Sequence, residues 1–278
     1  MNNKEQGSKA FSKEAADVLK KIEKAAKNNR YSTSKSIPSI FLVGDIGVGR
    51  TEFACNYEKL LASNKVYTVR GTGTYVELVF PANGSERDYQ RFFRSPGLVA
   101  SIQNKFYGVF AISFEEWKGK ELIESEVFNY LLTFIDNNRD NIYFVFMVTS
   151  DFLAREELRK ILNNHINLAE VLIEKPSMSR ATDFIISSLN SDGISFDQSG
   201  KKALSTLLSN KLDMDSSSFS GYRSLTQISK SILFELSSED VMGKEGLEVT
   251  EYMLHRIEDR ISTPESVDEK ANAIGFLV

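Results

Sequence analysis

Residues 44–51 read Gly-Asp-Ile-Gly-Val-Gly-Arg-Thr. They follow the apolar run Ser39-Ile40-Phe41-Leu42-Val43 and precede a stretch in which Phe53, Ala54, Tyr57, Leu60 and Leu61 recur at helical spacing. Strand, glycine-rich turn and helix in that order form the setting of a phosphate-binding loop, whose pattern is G-x-x-x-x-G-K-[ST]. Gly44, Gly47 and Gly49 let consecutive backbone N–H groups turn inward around an anion, while the following helix directs the positive end of its dipole at the same point. The expected cradle is therefore Gly44, Asp45, Ile46, Gly47, Val48, Gly49, Arg50 and Thr51, with the Thr51 hydroxyl available to magnesium. One position departs from the pattern: Arg50 stands where lysine is expected.

The rest of the chain reads as an alternation around this loop. Residues 1–36 are polar and lysine-rich, but Phe11, Ala15, Val18, Leu19, Ile22 and Ala26 mark one amphipathic helix followed by a polar linker. Its lysines form either a solvated face or a surface for acidic or nucleic-acid partners. Beyond the loop helix, Val66-Tyr67-Thr68-Val69 and Tyr75-Val76-Glu77-Leu78-Val79-Phe80 suggest a strand with a hairpin extension. An aromatic patch at Tyr89, Phe92 and Phe93 leads to a helix expected over 97–106.

Two fully apolar runs then predict buried parallel strands. The first, residues 107–114, ends in Glu115-Glu116-Trp117, and the second, residues 142–148, ends in Thr149-Ser150-Asp151. A helix marked by Val127, Tyr130, Leu131, Phe134 and Ile135 lies between them, and Ala169-Glu170-Val171-Leu172-Ile173 closes the alternation. A largely parallel sheet flanked by helices is predicted over residues 37–175. From Pro176 helical spacing dominates at Ala181, Phe184, Ile185 and Leu189, then Ala203, Leu204, Leu207 and Leu208. It continues at Leu225, Ile228, Ile232 and Leu233, then Val249, Met253, Leu254 and Ile257. Residues 176–261 thus read as a small all-helical lid domain and residues 262–278 as a tail.

Composition sets the boundaries of function. A net charge of −4 over 278 residues is not that of a general polyanion binder. The single cysteine, Cys55, excludes an internal disulfide and a cysteine metal site, and points to a reducing, cytoplasmic setting. The N-terminus lacks a signal peptide's apolar core, and no stretch reaches membrane-spanning length, so no membrane role is expected. His165 and His255 lie far apart without neighbouring ligands, which argues against a histidine metal site.

Taken in order, the phosphate loop, a strand ending in two acids, a strand ending in Thr-Ser and a helical segment bearing Gly221-Tyr222-Arg223 resemble the AAA+ ATPase module. The resemblance covers about residues 37 to 260. It implies ATP and Mg2+ as cofactors, a homo- or hetero-oligomer, and a protein substrate or partner. It also implies roles for particular residues. Arg50 takes the place of the lysine that bridges the β- and γ-phosphates. Glu115, with Thr51, would hold magnesium, and Glu116 would polarise water. Ser150, or its neighbour Thr149, would sense the γ-phosphate as sensor 1, and Arg223 would contact it from the lid.

Two departures keep charge and alter shape. Arg50 exchanges a compact ammonium for a planar guanidinium, and Glu115 adds a methylene where the family prefers aspartate, next to an ion that demands near-octahedral geometry. Misplacement by about 1 Å can cost about a hundredfold in rate. The expectation is an ATP-binding protein with slow or partner-dependent hydrolysis. An inactive, nucleotide-gated adaptor in a mixed assembly is the alternative, and a DNA-associated ATPase is a third class. Arg159 lies earlier than the family's arginine finger, with Arg155 a further candidate. Tyr75, Tyr89, Phe92 and Phe93 fall where threading relatives carry an exposed aromatic, although packing also accounts for such residues, as it does for Trp117.

Overall fold

The computed structural model describes residues 13–28, 37–66, 75–82, 87, 108–140, 142–214, 216, 219–238 and 247–261. The run at 67–69, the aromatics Tyr89, Phe92 and Phe93, the helix expected over 97–106, Phe11, most of the linker and the tail lie outside these residues. The chain divides into two compact units, Met1–Glu174 and Lys175–Val278.

In the first unit, α1 (Lys13–Asn28) is followed by β1 (Ser39–Val43), α2 (Arg50–Ser63), β2 (Tyr75–Val79) and β3 (Gly108–Ser113). Next come α3 (Glu121–Glu124), α4 (Glu126–Asn138), β4 (Ile142–Val148), α5 (Arg155–His165) and β5 (Leu168–Leu172). The strands form one five-stranded sheet in the order β2-β3-β4-β1-β5, and every pairing is parallel. β2 therefore enters as a parallel edge strand beside β3, with Tyr75 opposite Val109 and Val79 opposite Ser113. The expected hairpin would have required an antiparallel partner; β2's described partner is β3.

The sheet carries two apolar layers because side chains of a strand alternate between faces. Ile40, Leu42, Val109, Ala111, Val145 and Met147 face α1 and α2, where Ala15, Ile22, Phe53, Tyr57 and Leu61 complete the layer. Phe41, Val43, Phe110, Ile112, Phe144 and Phe146 face the other way, toward Leu131, Phe134, Leu158 and Leu162. That second layer is rich in aromatic rings: Phe144 stacks on Phe146 with centroids 5.7 Å apart, and Phe110 meets Phe134 at 5.4 Å. β1, β3 and β4 are buried along their whole length. This is why they read as continuous apolar runs rather than alternating ones.

The second unit contains α6 (Met178–Ser191), β6 (Ile194–Phe196), α7 (Gln198–Lys211), α8 (Tyr222–Ser238), β7 (Leu247–Val249) and α9 (Glu251–Ile257), ending in a 3-10 turn at Glu258–Arg260. Its core gathers Ala181, Ile185, Leu189, Leu204, Leu208, Leu225, Ile228, Ile232, Leu254 and Ile257. The all-helical expectation needs one amendment. β6 and β7 form a short parallel pair, with Ile194 opposite Leu247 and Phe196 opposite Val249. Val249 thus belongs to a strand and not to the helix that follows it. Three residues per strand are too few to establish a period, so this pairing is set by tertiary packing.

Candidate functional site

The loop between β1 and α2 has the backbone that its glycines predict. Gly47 and Gly49 take positive φ, 86° and 103°, a region that side-chain-bearing residues rarely adopt. Gly44 is required for a different reason: a Cβ there would lie 2.7 Å from the Ile173 carbonyl oxygen and 3.0 Å from Val48 Cγ2. Gly49 also serves as the N-cap of α2 and supplies no side-chain hydrogen bond to the helix's first turn. A helix N-terminus presents unsatisfied N–H groups and a partial positive charge, so this end suits an anion.

Arg50, the first residue of α2, is only 7% exposed. Its Nη2 donates to Glu115 Oε2 at 2.9 Å, and the same oxygen accepts the Ser113 hydroxyl at 3.2 Å. The residue at the lysine position and the first strand-end acid are therefore paired with each other across 65 residues of sequence. The second terminal nitrogen, Nη1, is buried with no hydrogen-bond partner among the described residues. Leaving a donor of a charged group unsatisfied is costly, so an orphaned guanidinium arm at a phosphate-type loop fits an incoming anionic oxygen.

Thr51 is exposed, and its hydroxyl donates to Glu77 Oε1 at 3.0 Å. Glu77 sits on β2, on the same pleat face as Tyr75, whose hydroxyl donates to Glu77 Oε2 at 2.5 Å. Burial, and then the neighbouring Glu77, push the Tyr75 hydroxyl above its ordinary value, so it remains a donor. Sequence reasoning did not select Glu77. Its one signal was a lone acid within an otherwise apolar and aromatic strand.

Other expected residues fall in different surroundings. Glu116 Oε2 accepts the Ala82 backbone N–H at 2.9 Å, which ties it to the segment after β2. Trp117 is buried, donates to the Phe80 carbonyl at 2.8 Å and stacks on the Phe80 ring, so it is a packing residue. Ser150 is exposed, and its backbone N–H donates to Asp45 Oδ1 at 3.3 Å, linking the end of β4 to the phosphate-type loop. Ile46 is exposed on the loop, and Val48 is buried beneath it.

Arg159 Nη2 donates to Glu156 at 2.9 Å, and its Nε lies 3.4 Å from Glu170. Donation to Glu156 raises the Arg159 value, and the same bond lowers that of Glu156. Arg155 also faces Glu156, at 3.9 Å. Both finger candidates thus have acidic partners within their own chain. In the second unit, Gly221 takes φ 60° just before α8, Tyr222 packs against Phe184 with centroids 5.0 Å apart, and Arg223 is exposed on the first turn.

Among the described residues no group of three or more His, Cys, Asp or Glu is placed to hold a metal ion, and no helix is long and apolar enough to cross a membrane. A hydroxyl and carboxylates are nevertheless the hard oxygen donors that magnesium takes, usually together with substrate phosphates and water rather than in an all-protein cage. Thr51 and Glu115 are donors of that kind, and each already has another partner, Glu77 and Arg50 respectively.

No family model matches the chain, and no curated protein matches it. Solved structures do. The RuvB Holliday junction branch migration motor of Thermotoga maritima superposes with a TM-score of 0.58 at 16% identity, over 95% of this chain and 74% of that one. Two single-substitution variants of the same protein give TM-scores of 0.57 and 0.55 at 15% identity with the same coverage. At such identity the likeness is one of fold. The shared fold is that of the RuvB structure: a parallel five-stranded sheet flanked by helices, followed by a small, mostly helical unit.

Proposed function

We propose that this chain binds ATP in the loop of residues 44–51 and hydrolyses it slowly, or only when a partner completes the site. Its nucleotide state would govern rearrangement or assembly of a protein partner, in a homo- or hetero-oligomer. The observation that carries this reading is the Arg50–Glu115 pair with its orphaned Nη1. Glycines of positive φ, a helix start without a side-chain cap and a buried guanidinium with a spare donor together suit a polyphosphate.

In this reading the backbone of residues 44–49 orients the phosphates and Arg50 Nη1 donates to them. Thr51 and Glu115 would hold magnesium, which supplies charge neutralisation of the phosphates. Glu115 would do so through Oε1, since its Oε2 is held by Arg50 and Ser113. Glu116 is the candidate to orient and deprotonate water, after leaving the Ala82 N–H. Ser150 is the proposed γ-phosphate contact within the first unit. Glu115, Glu116 and Thr51 are already hydrogen-bonded to other groups, which supports slow or conditional turnover.

The second reading, a nucleotide-gated adaptor without hydrolysis, is favoured by the Glu116–Ala82 contact and by the paired state of Arg155 and Arg159. ATP turnover by wild type, Arg50→Lys and Glu116→Gln separates the two. The ATPase reading expects measurable wild-type turnover that Glu116→Gln lowers by about a hundredfold to ten-thousandfold. Equal turnover in wild type and Glu116→Gln rejects it in favour of the adaptor. A DNA-associated role, suggested by the motor whose fold is shared, would show as DNA affinity that falls steeply with salt.

A further inference from the structure

A hydroxyl that coordinates a cation through a lone pair must send its single proton to some other acceptor. Thr51 sends its proton to Glu77, at 3.0 Å. The strand-end acid Glu115 is already occupied at Oε2 by Arg50 and by Ser113. Glu77 comes instead from the edge strand β2, and its other oxygen is fixed by the Tyr75 hydroxyl at 2.5 Å. Both carboxylate oxygens are therefore oriented, on an exposed residue that remains open to water and ions. One residue away along α2, the nine-tenths buried Arg50 has an unpartnered Nη1, an independent sign that a further anionic partner belongs beside it.

The charges point the same way. Arg50 and Glu115 neutralise one another, which leaves Glu77 as the negative group bonded to the Thr51 hydroxyl. We infer that Glu77 is the positioning residue of the magnesium site, turning the Thr51 hydroxyl so that its lone pairs face the ion that accompanies the nucleotide. This inference rests on the nucleotide reading proposed above and deepens it. Groups of this kind affect metal affinity by about tenfold to a hundredfold.

Calorimetric titration of the full chain with ATP, in magnesium and in EDTA, gives a ratio of affinities that reports the metal's contribution. We expect Glu77→Gln to reduce that ratio by about tenfold or more. Thr51→Val should do likewise, and the double variant should be no worse than Thr51→Val alone, since the two residues act as one unit. General damage to the fold would weaken both titrations alike and leave the ratio unchanged. An unchanged ratio in Glu77→Gln, additive losses in the double variant, or a wild-type ratio near one would overturn the role of Glu77 while leaving nucleotide binding intact. Wild-type protein that binds ATP in neither condition overturns the nucleotide reading as well.

Discussion

Two helix starts in this molecule meet the same electrostatic demand in opposite ways. At α7 the cap is internal: Asp197 accepts the Gly200 N–H at 2.6 Å and also takes the Ser199 hydroxyl at 2.9 Å. At α2 the cap is Gly49, which contributes no side-chain acceptor, and the adjacent guanidinium keeps a donor unpartnered. One helix carries its own anion; the other leaves room for an external one. A helix start with a built-in carboxylate contributes to stability, whereas one without it can exchange that stability for a ligand.

The difference can be broken from either side. Gly200→Ala should have the largest effect on folding, because its Cβ would fall 2.2 Å from the Val249 carbonyl oxygen and 3.1 Å from Asp197 Oδ1. A loss of about 2–3 kcal/mol in denaturant unfolding is expected, with ATP binding by the first unit retained. Gly44→Ala is the counterpart at the other helix start. Its Cβ meets the Ile173 oxygen at 2.7 Å, so the loop must shift. We expect a smaller loss of about 1–2 kcal/mol, accompanied by loss of ATP binding. If Gly44→Ala binds ATP as wild type does, the loop is not the cradle.

The smallest effect concerns the internal cap itself. Backbone hydrogen bonding from Gly200, and then the Ser199 hydroxyl, hold the Asp197 carboxyl below its ordinary value. A depressed folded value means that the stabilisation is complete above the unfolded carboxylate range. It is lost as pH falls through the lowered value. Asp197→Ala should therefore lower the melting temperature slightly at neutral pH and flatten the acid side of the stability profile, while Asp197→Asn keeps the neutral-pH cap. An acid limb identical in wild type and Asp197→Ala would remove the linkage.

What could be read from the chain follows from which forces are local. The order of strand, loop and helix at 39–61 was legible because glycine positions and apolar spacing are properties of neighbouring residues. The buried strands β3 and β4 were legible as unbroken apolar runs. Pairings across the sheet were not. Arg50 and Glu115 are 65 residues apart, Thr51 and Glu77 are 26 apart, and neither link has a local signature. The parallel entry of β2 is what brings Glu77 to the loop helix, whereas a hairpin reading leaves its direction undetermined. Glu115 and Glu116 were adjacent letters with equal chemistry, yet the turn after β3 sends one to Arg50 and the other to Ala82.

The central claim is that the start of α2 is a polyphosphate site in which Arg50 replaces the usual lysine. Titration of the full chain with ATP in EDTA tests it most directly, because metal ligands then contribute nothing. The account predicts wild-type binding, and binding about tenfold to a hundredfold weaker in Arg50→Ala, the worth of one charge-assisted hydrogen bond. Equal affinity in the two proteins would contradict it.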